Sequence, residues 1–128
     1  MSLRSPLGAV LGHGAARSGV HHWWVQRTTA IAIVPLGLWL LVSLVRLPLG
    51  DYAAMTDWVG RGWNPVLLAL LIGLAAWHSL LGVQMVVEDY VHTKATKTLL
   101  LLVSAGAHLL VGAGAVFAVL RIALRSFG

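Results

Sequence analysis

The sequence contains no cysteine and few charged residues. Its 128 residues include nine Lys and Arg and four Asp and Glu, so 10% are charged, against about 25% in an ordinary soluble domain. This scarcity of charge excludes a typical water-soluble domain. The lack of cysteine excludes disulfides and iron–sulfur clusters held by thiolates, and leaves the six histidines as the obvious soft metal ligands.

The remaining residues are strongly apolar, and three segments are long enough to cross a membrane. The chain is 59% hydrophobic, with a mean hydropathy of +0.85. Residues 28–49, 66–87 and 98–120 would each form about 33 Å of helix, which matches a hydrocarbon core of about 30 Å. We predict an all-α membrane protein whose residues 28–128 form a three-helix transmembrane anchor, preceded by an N-terminal arm and interfacial segment at 1–27. One such domain is too small to enclose a cofactor or a transport path by itself.

The helix boundaries and basic residues indicate a topology. Asn64 is predicted to cap the second helix, with Pro65 in its first turn. The N-terminal segment lacks the apolar core of a secretory signal, and it is short and only weakly amphipathic for a mitochondrial presequence, which favours a bacterial chain. Five basic residues lie on the N-terminal side and four on the other, which predicts a cytoplasmic N-terminus. The two sets are Arg4, Arg17, Arg27, Lys94 and Lys97, and Arg46, Arg61, Arg121 and Arg125.

His78 requires an explanation because it lies deep in the second apolar segment. Polar side chains at membrane depth are costly and usually serve a function. Helical spacing places His78, Gly82, Met85 and Asp89 on one stripe, with about 16 Å along the axis between His78 and Asp89. Small residues such as Gly82 and Ala75 leave space beside the imidazole for a flat ligand or for another helix. A hydrogen-bonded structural histidine is the alternative, but the Asp89–Tyr90 terminus favours a functional one.

Two further residues have open roles. His108 lies at a depth similar to that of His78, so a bis-histidine site within the chain is geometrically allowed. Small residues surround His108, which favours a packing role. Arg27, at the membrane boundary, is either a snorkelling anchor or a bidentate grip for carboxylates such as haem propionates.

The chain resembles the small hydrophobic anchor subunit of succinate dehydrogenase, respiratory complex II, of the cytochrome b type. The resemblance extends from about residue 19 to residue 128 and includes the three-helix layout. Its most specific element is the spacing from His78 to the Asp–Tyr–Val exit. The motif residues are Gly19, Val20, His21, Arg27, Thr28, Thr29, Ala30, His78, Gly82, Gln84, Glu88, Asp89, Tyr90 and Val91.

The resemblance implies roles for five of the matched residues. His78 would be one axial ligand of haem b and so bind the haem iron, with the other ligand supplied by a companion anchor subunit. Tyr90 would hydrogen-bond ubiquinone, and Asp89 would lie beside it. Arg27 would lie near both quinone and haem propionates, and His21 would lie at the same boundary, although the His21–His22 doublet leaves the match ambiguous.

The resemblance also implies partners and a location. The chain would have no catalytic activity alone, but would belong to a succinate:ubiquinone oxidoreductase of the tricarboxylic acid cycle and electron transport. Its expected partners are a second cytochrome b anchor subunit, an iron–sulfur subunit, a flavoprotein and membrane lipid, with no nucleic acid. The expected location is the bacterial inner membrane.

Two other functions remain open from the sequence. A haem-b anchor of a quinol:fumarate reductase would share the same residues, because the direction of electron flow depends on potentials that a sequence does not reveal. A proton-path transporter subunit would need a polar stripe through each helix. The His78 face of the second helix has no polar residue between His78 and Asp89, which disfavours a transporter.

Overall fold

Helices account for nearly all of the structure. The computed structural model describes residues 16–125, with side chains from residue 19 onward, and contains α1 (Ala16–Arg46), α2 (Tyr52–Gly60), α3 (Asn64–Tyr90) and α4 (Lys94–Arg125). The three long helices are apolar enough, and long enough, to cross a membrane. This confirms the predicted all-α fold with three transmembrane helices.

The helices extend beyond the apolar segments at several ends. α1 begins at Ala16 and therefore includes much of the predicted interfacial segment, whereas residues 1–15 of the predicted arm lie outside the described residues. α1 ends at Arg46, two residues before Pro48, since a residue that precedes proline disfavours the helical conformation. Hydropathy marks the lipid-facing length of a helix, while backbone hydrogen bonding continues into its polar flanks.

A short helix, α2, joins the first two spans. Asp51 caps it, because its Oδ1 accepts hydrogen bonds from the backbone N–H groups of Ala53 (2.9 Å) and Ala54 (3.2 Å). Trp58 of α2 stacks on Trp39 of α1, with ring centroids 5.6 Å apart. This contact holds α2 at the end of the bundle opposite the α3–α4 connection.

The start of α3 differs in part from the prediction. Pro65 occupies the first turn as expected, where its missing N–H costs nothing. Asn64 is not the cap: it is already the first helical residue, and its Nδ2 donates to the carbonyl of Trp58 at 2.7 Å. The carboxamide nitrogen therefore satisfies a backbone carbonyl near the end of α2, and no side chain caps the start of α3.

The three spans form an open layer with α3 in the middle. α3 packs against both α1 and α4, and within residues 16–125 the outer two helices do not approach each other. The face of α3 toward α1 contains His78, while the face toward α4 contains Ala76, which lies 200° away at 100° per residue. Such a layer leaves most apolar side chains accessible: among those described, only Leu81, Val119 and Ala123 are buried hydrophobics.

α3 and α4 approach each other closely at Gly112. A Cβ added there would lie 3.2 Å from Cβ of Ala76, whereas one added at Gly114 would meet nothing within 4 Å. We therefore expect Gly112→Val to lower the free energy of unfolding by about 1–3 kcal/mol, since it forces the helices apart. Unfolding in detergent measures the change, with Gly114→Val as the matched control; equal stability of the two variants would contradict the packing role.

Candidate functional site

His78 is held by two side chains of α1. Its Nδ1 lies 2.9 Å from Oγ1 of Thr29, and its Nε2 lies 3.3 Å from Nε2 of Gln26. Both ring nitrogens therefore have partners, as a neutral imidazole surrounded by hydrocarbon requires. α1 thus supplies the polar environment that makes a histidine tolerable at this depth.

Gly82 provides room for one of these partners. A Cβ added at Gly82 would lie 3.7 Å from Nε2 of Gln26. The sequence allowed either a flat ligand or another helix beside the imidazole. In this structure the Gln26 side chain of α1 lies next to Gly82, while a flat ligand beside the imidazole stays a prediction.

Two buried polar atoms near His78 have no hydrogen-bond partner among the described residues. They are Nε2 of His22 and Oε1 of Gln26, which lie one helical turn apart on α1. Buried polar groups are normally paired, so such atoms commonly mark the position of a missing water, ligand or partner. Of the histidine doublet, His21 is exposed and His22 is half-buried. The ring beside the side chains of His78, Gln26 and Thr29 is therefore that of His22. The predicted role of His21 stays a prediction.

His108 lies on another side of α3. Its Nδ1 is 2.8 Å from the carbonyl of Ser104 and its Nε2 is 3.1 Å from Oγ of Ser79. Since a carbonyl only accepts, Nδ1–H donates to it and the Ser79 hydroxyl donates to Nε2. Ser79 and His78 project 100° apart from α3. His108 thus joins α3 to α4 through hydrogen bonds, as the packing interpretation predicted, and its ring partners are different from those of His78.

The acidic–aromatic end of the predicted stripe is accessible. α3 continues through Tyr90, so His78, Gly82, Met85 and Asp89 do share one helix. The side chain of Asp89 is exposed and that of Tyr90 is 78% exposed. The fixed polar groups around them are the Glu88 carbonyl, which accepts from Nζ of Lys97 at 2.9 Å, and the Tyr90 carbonyl, 3.2 Å from Nδ1 of His92. Tyr90 and Asp89 can therefore meet a ligand from the membrane boundary.

Arg27 lies deeper than the sequence suggested. Gln26 pairs with His78 and approaches Gly82, so in antiparallel helices Arg27 is about 15 Å along the axis from the level of Asp89. Its guanidinium carbon lies 5.3 Å from the ring centroid of Trp23, one turn closer to the boundary. The side chain thus snorkels toward headgroups over an aromatic ring, and at the backbone level Arg27 is nearer His78 than Tyr90.

The sequence contained the partners of His78 without revealing their role. The motif included Thr29 but not Gln26, and neither residue was predicted to be a hydrogen-bond partner of His78. Their signal is helical spacing: His22, Gln26 and Thr29 follow steps of four and three, and so form a polar stripe along one face of α1. A stripe of this kind predicts a polar side chain on a neighbouring helix.

Comparison with known protein families identifies the family of this chain. Residues 1–120 match the family model described as succinate dehydrogenase/fumarate reductase transmembrane subunit. The chain belongs to this family. The family match spans all of α1, α2 and α3 and most of α4, so the cluster around His78 and the exposed Asp89–Tyr90 pair both lie within it.

Relatives within the family carry a consistent description. A succinate dehydrogenase hydrophobic membrane anchor subunit of Rickettsia bellii is 37% identical over 78 residues, which is 61% of this chain and 62% of that protein. The protein of the same description from Rickettsia conorii is 32% identical over 92 residues, or 70% of this chain and 73% of that protein. A succinate dehydrogenase membrane anchor subunit of Reclinomonas americana is 32% identical over 85 residues, 63% of this chain and 70% of that protein. No solved structure matches the chain.

Family membership and the three apolar spans together establish a multi-pass membrane protein. The residues predicted to act as a site fall into two groups at different depths. His78 lies with α1 inside the membrane, while Asp89 and Tyr90 lie at the exposed end of α3. Arg27 belongs to neither group by direct contact.

Proposed function

We propose that this chain is the hydrophobic membrane anchor subunit of a succinate dehydrogenase, that it binds haem b together with a second anchor subunit, and that it contributes to the ubiquinone site. The observation that carries the proposal is the pairing of His78 with Thr29 inside the membrane, eleven residues before an exposed Asp–Tyr pair, in a chain of this family. The same helix thus offers a metal ligand at depth and a polar pair at the boundary.

The residues around His78 fit a haem iron. The amide nitrogen Nε2 of Gln26 can only donate a hydrogen bond, so the facing Nε2 of His78 must accept it with a lone pair. A nitrogen with a free lone pair is what an iron ligand requires. Gln26 is a flexible side chain that can yield this position. The unpaired Nε2 of His22 can donate to a polar group of the ligand. When bound, haem b supplies one-electron transfer, while the chain binds, orients and shields it.

The exposed pair at the end of α3 fits a quinone headgroup. The Tyr90 hydroxyl can donate a hydrogen bond to a quinone carbonyl oxygen, and the Asp89 carboxylate can pass protons from water. Reduction of ubiquinone takes up two electrons and two protons, so a site at the water boundary shortens the proton path. Arg27, snorkelling over Trp23, supplies positive charge between the two depths.

The open layer of helices requires other helices. The two faces of the layer, above and below the plane of the three helices, expose apolar and small residues. The second anchor subunit would cover these faces. The iron–sulfur subunit and the flavoprotein would dock at the Tyr90 end. That end would lie on the cytoplasmic side of a bacterial inner membrane, which agrees with the larger number of basic residues on this side of the chain.

Purification of the tagged full-length chain from native membranes in a mild detergent tests this function. We expect a flavin-containing succinate dehydrogenase and a b-type haem to co-purify with it in constant ratio. Deletion of the chain should release succinate oxidation into the soluble fraction. Full retention of that activity on membranes lacking the chain would overturn the anchor role.

A further inference from the structure

Thr29 is the one polar side chain, among those the structure describes, that is buried, with 8% of its surface exposed. Its Oγ1 lies 2.9 Å from the carbonyl of Val25 and 3.0 Å from that of Gln26, within its own helix, and 2.9 Å from Nδ1 of His78. A hydroxyl has one proton to give and two lone pairs to accept with. The proton can therefore satisfy only one of these three neighbours.

The neighbours themselves determine which one. The Gln26 amide nitrogen only donates, so Nε2 of His78 accepts and the ring proton is on Nδ1. Nδ1–H then donates to Oγ1 of Thr29, and the Thr29 proton goes to a backbone carbonyl. The hydrogen bonds that link these groups therefore all run in one direction. Gln26 donates to His78, His78 donates to Thr29, and Thr29 donates to the backbone of α1.

The consequence for His78 is a fixed tautomer and a fixed ring. A histidine that binds a metal through one nitrogen usually donates its other N–H to an oxygen, and this second bond orients the ring and makes the ligand more basic. Thr29 is in the position to accept that bond. Its neighbour Thr28 is exposed, and its hydroxyl bonds only to the carbonyls of Trp24 and Val25.

We propose that Thr29 is the positioning residue for His78: it accepts the Nδ1–H bond, and so holds Nε2 as the free, basic nitrogen for the iron. The role of Nε2 as an iron ligand rests on the proposed function, whereas the tautomer of His78 follows from its hydrogen bonds alone. Gln26 is then a placeholder on Nε2 that moves aside when the ligand binds, while the Thr29 bond persists.

The first test compares variants of the purified complex. Thr29→Val removes the hydroxyl and keeps the shape, so we expect a higher midpoint potential of the haem, because a less basic imidazole stabilises ferric iron less. We also expect roughly 10- to 100-fold weaker haem retention against apomyoglobin. Thr29→Ser should preserve both quantities, and Thr28→Val is the matched control. Unchanged potential and retention in Thr29→Val would overturn the proposal.

A second measurement does not need haem. Nitrogen-15 NMR of histidine-labelled complex from haem-deficient cells reports the tautomer of His78, assigned by its loss in His78→Gln. A proton on Nδ1 supports the proposal, and a proton on Nε2 overturns it. If His78→Ala retains haem while the NMR shows Nδ1–H, the ligand assignment fails and the positioning by Thr29 stands.

Discussion

His78→Ala is expected to abolish the b-type haem signal of the complex. The imidazole is the chain's ligand candidate within the membrane, and alanine offers no atom to replace Nε2. Thr29 and Gln26 would remain, but neither is a good ligand for haem iron. A reduced-minus-oxidised spectrum of the purified complex measures the loss, normalised to the flavin content.

His108→Ala is the matched control, since it removes a histidine at similar depth from the other face of α3. Its ring serves Ser79 and Ser104, so we expect weaker α3–α4 packing with the haem signal retained. Loss of the signal in His108→Ala together with its survival in His78→Ala would show that the ligand has been assigned to the wrong helix.

Tyr90→Phe is expected to lower ubiquinone reduction roughly 100-fold, because it removes one hydroxyl from an exposed ring and with it the hydrogen-bond donor to the quinone. Succinate oxidation with an artificial soluble acceptor should not change, since that reaction bypasses the membrane site. The two rates are measured on the same washed membranes, so loss of assembly would lower both, because unanchored enzyme is removed with the soluble fraction.

Tyr52→Phe provides the comparison, as Tyr52 is 81% exposed and begins α2, on the opposite side of the membrane from Tyr90. It should leave both rates at the level of the unmodified complex. Normal ubiquinone kinetics in Tyr90→Phe would remove Tyr90 from the quinone site.

The sequence was sufficient for the three spans and for the depth of His78 relative to Asp89. Both depend on composition and on the fixed rise of a helix, which tertiary contacts do not change. α2 was missed because nine residues give little hydropathy signal, although Asp51 before Tyr-Ala-Ala is a recognisable cap.

The partners of His78 could not be derived in the same way. Whether Gln26 and Thr29 face α3, a neighbouring subunit or lipid depends on how α1 rotates about its axis, and hydropathy leaves that rotation undetermined. The depth of Arg27 was misjudged for a related reason: the prediction began the first span at residue 28, while the pairing of Gln26 with His78 puts this part of α1 level with the middle of α3.

The central position of α3 in the layer has a consequence for biosynthesis. During membrane insertion α1 enters first, and until α3 arrives the polar groups of Gln26 and Thr29 have no neighbouring helix to pair with. α3 then supplies His78 to α1 and presents Ser79 to α4, the last helix to be made. The two contacts use different faces of α3 and share no side chain, so each can form without the other.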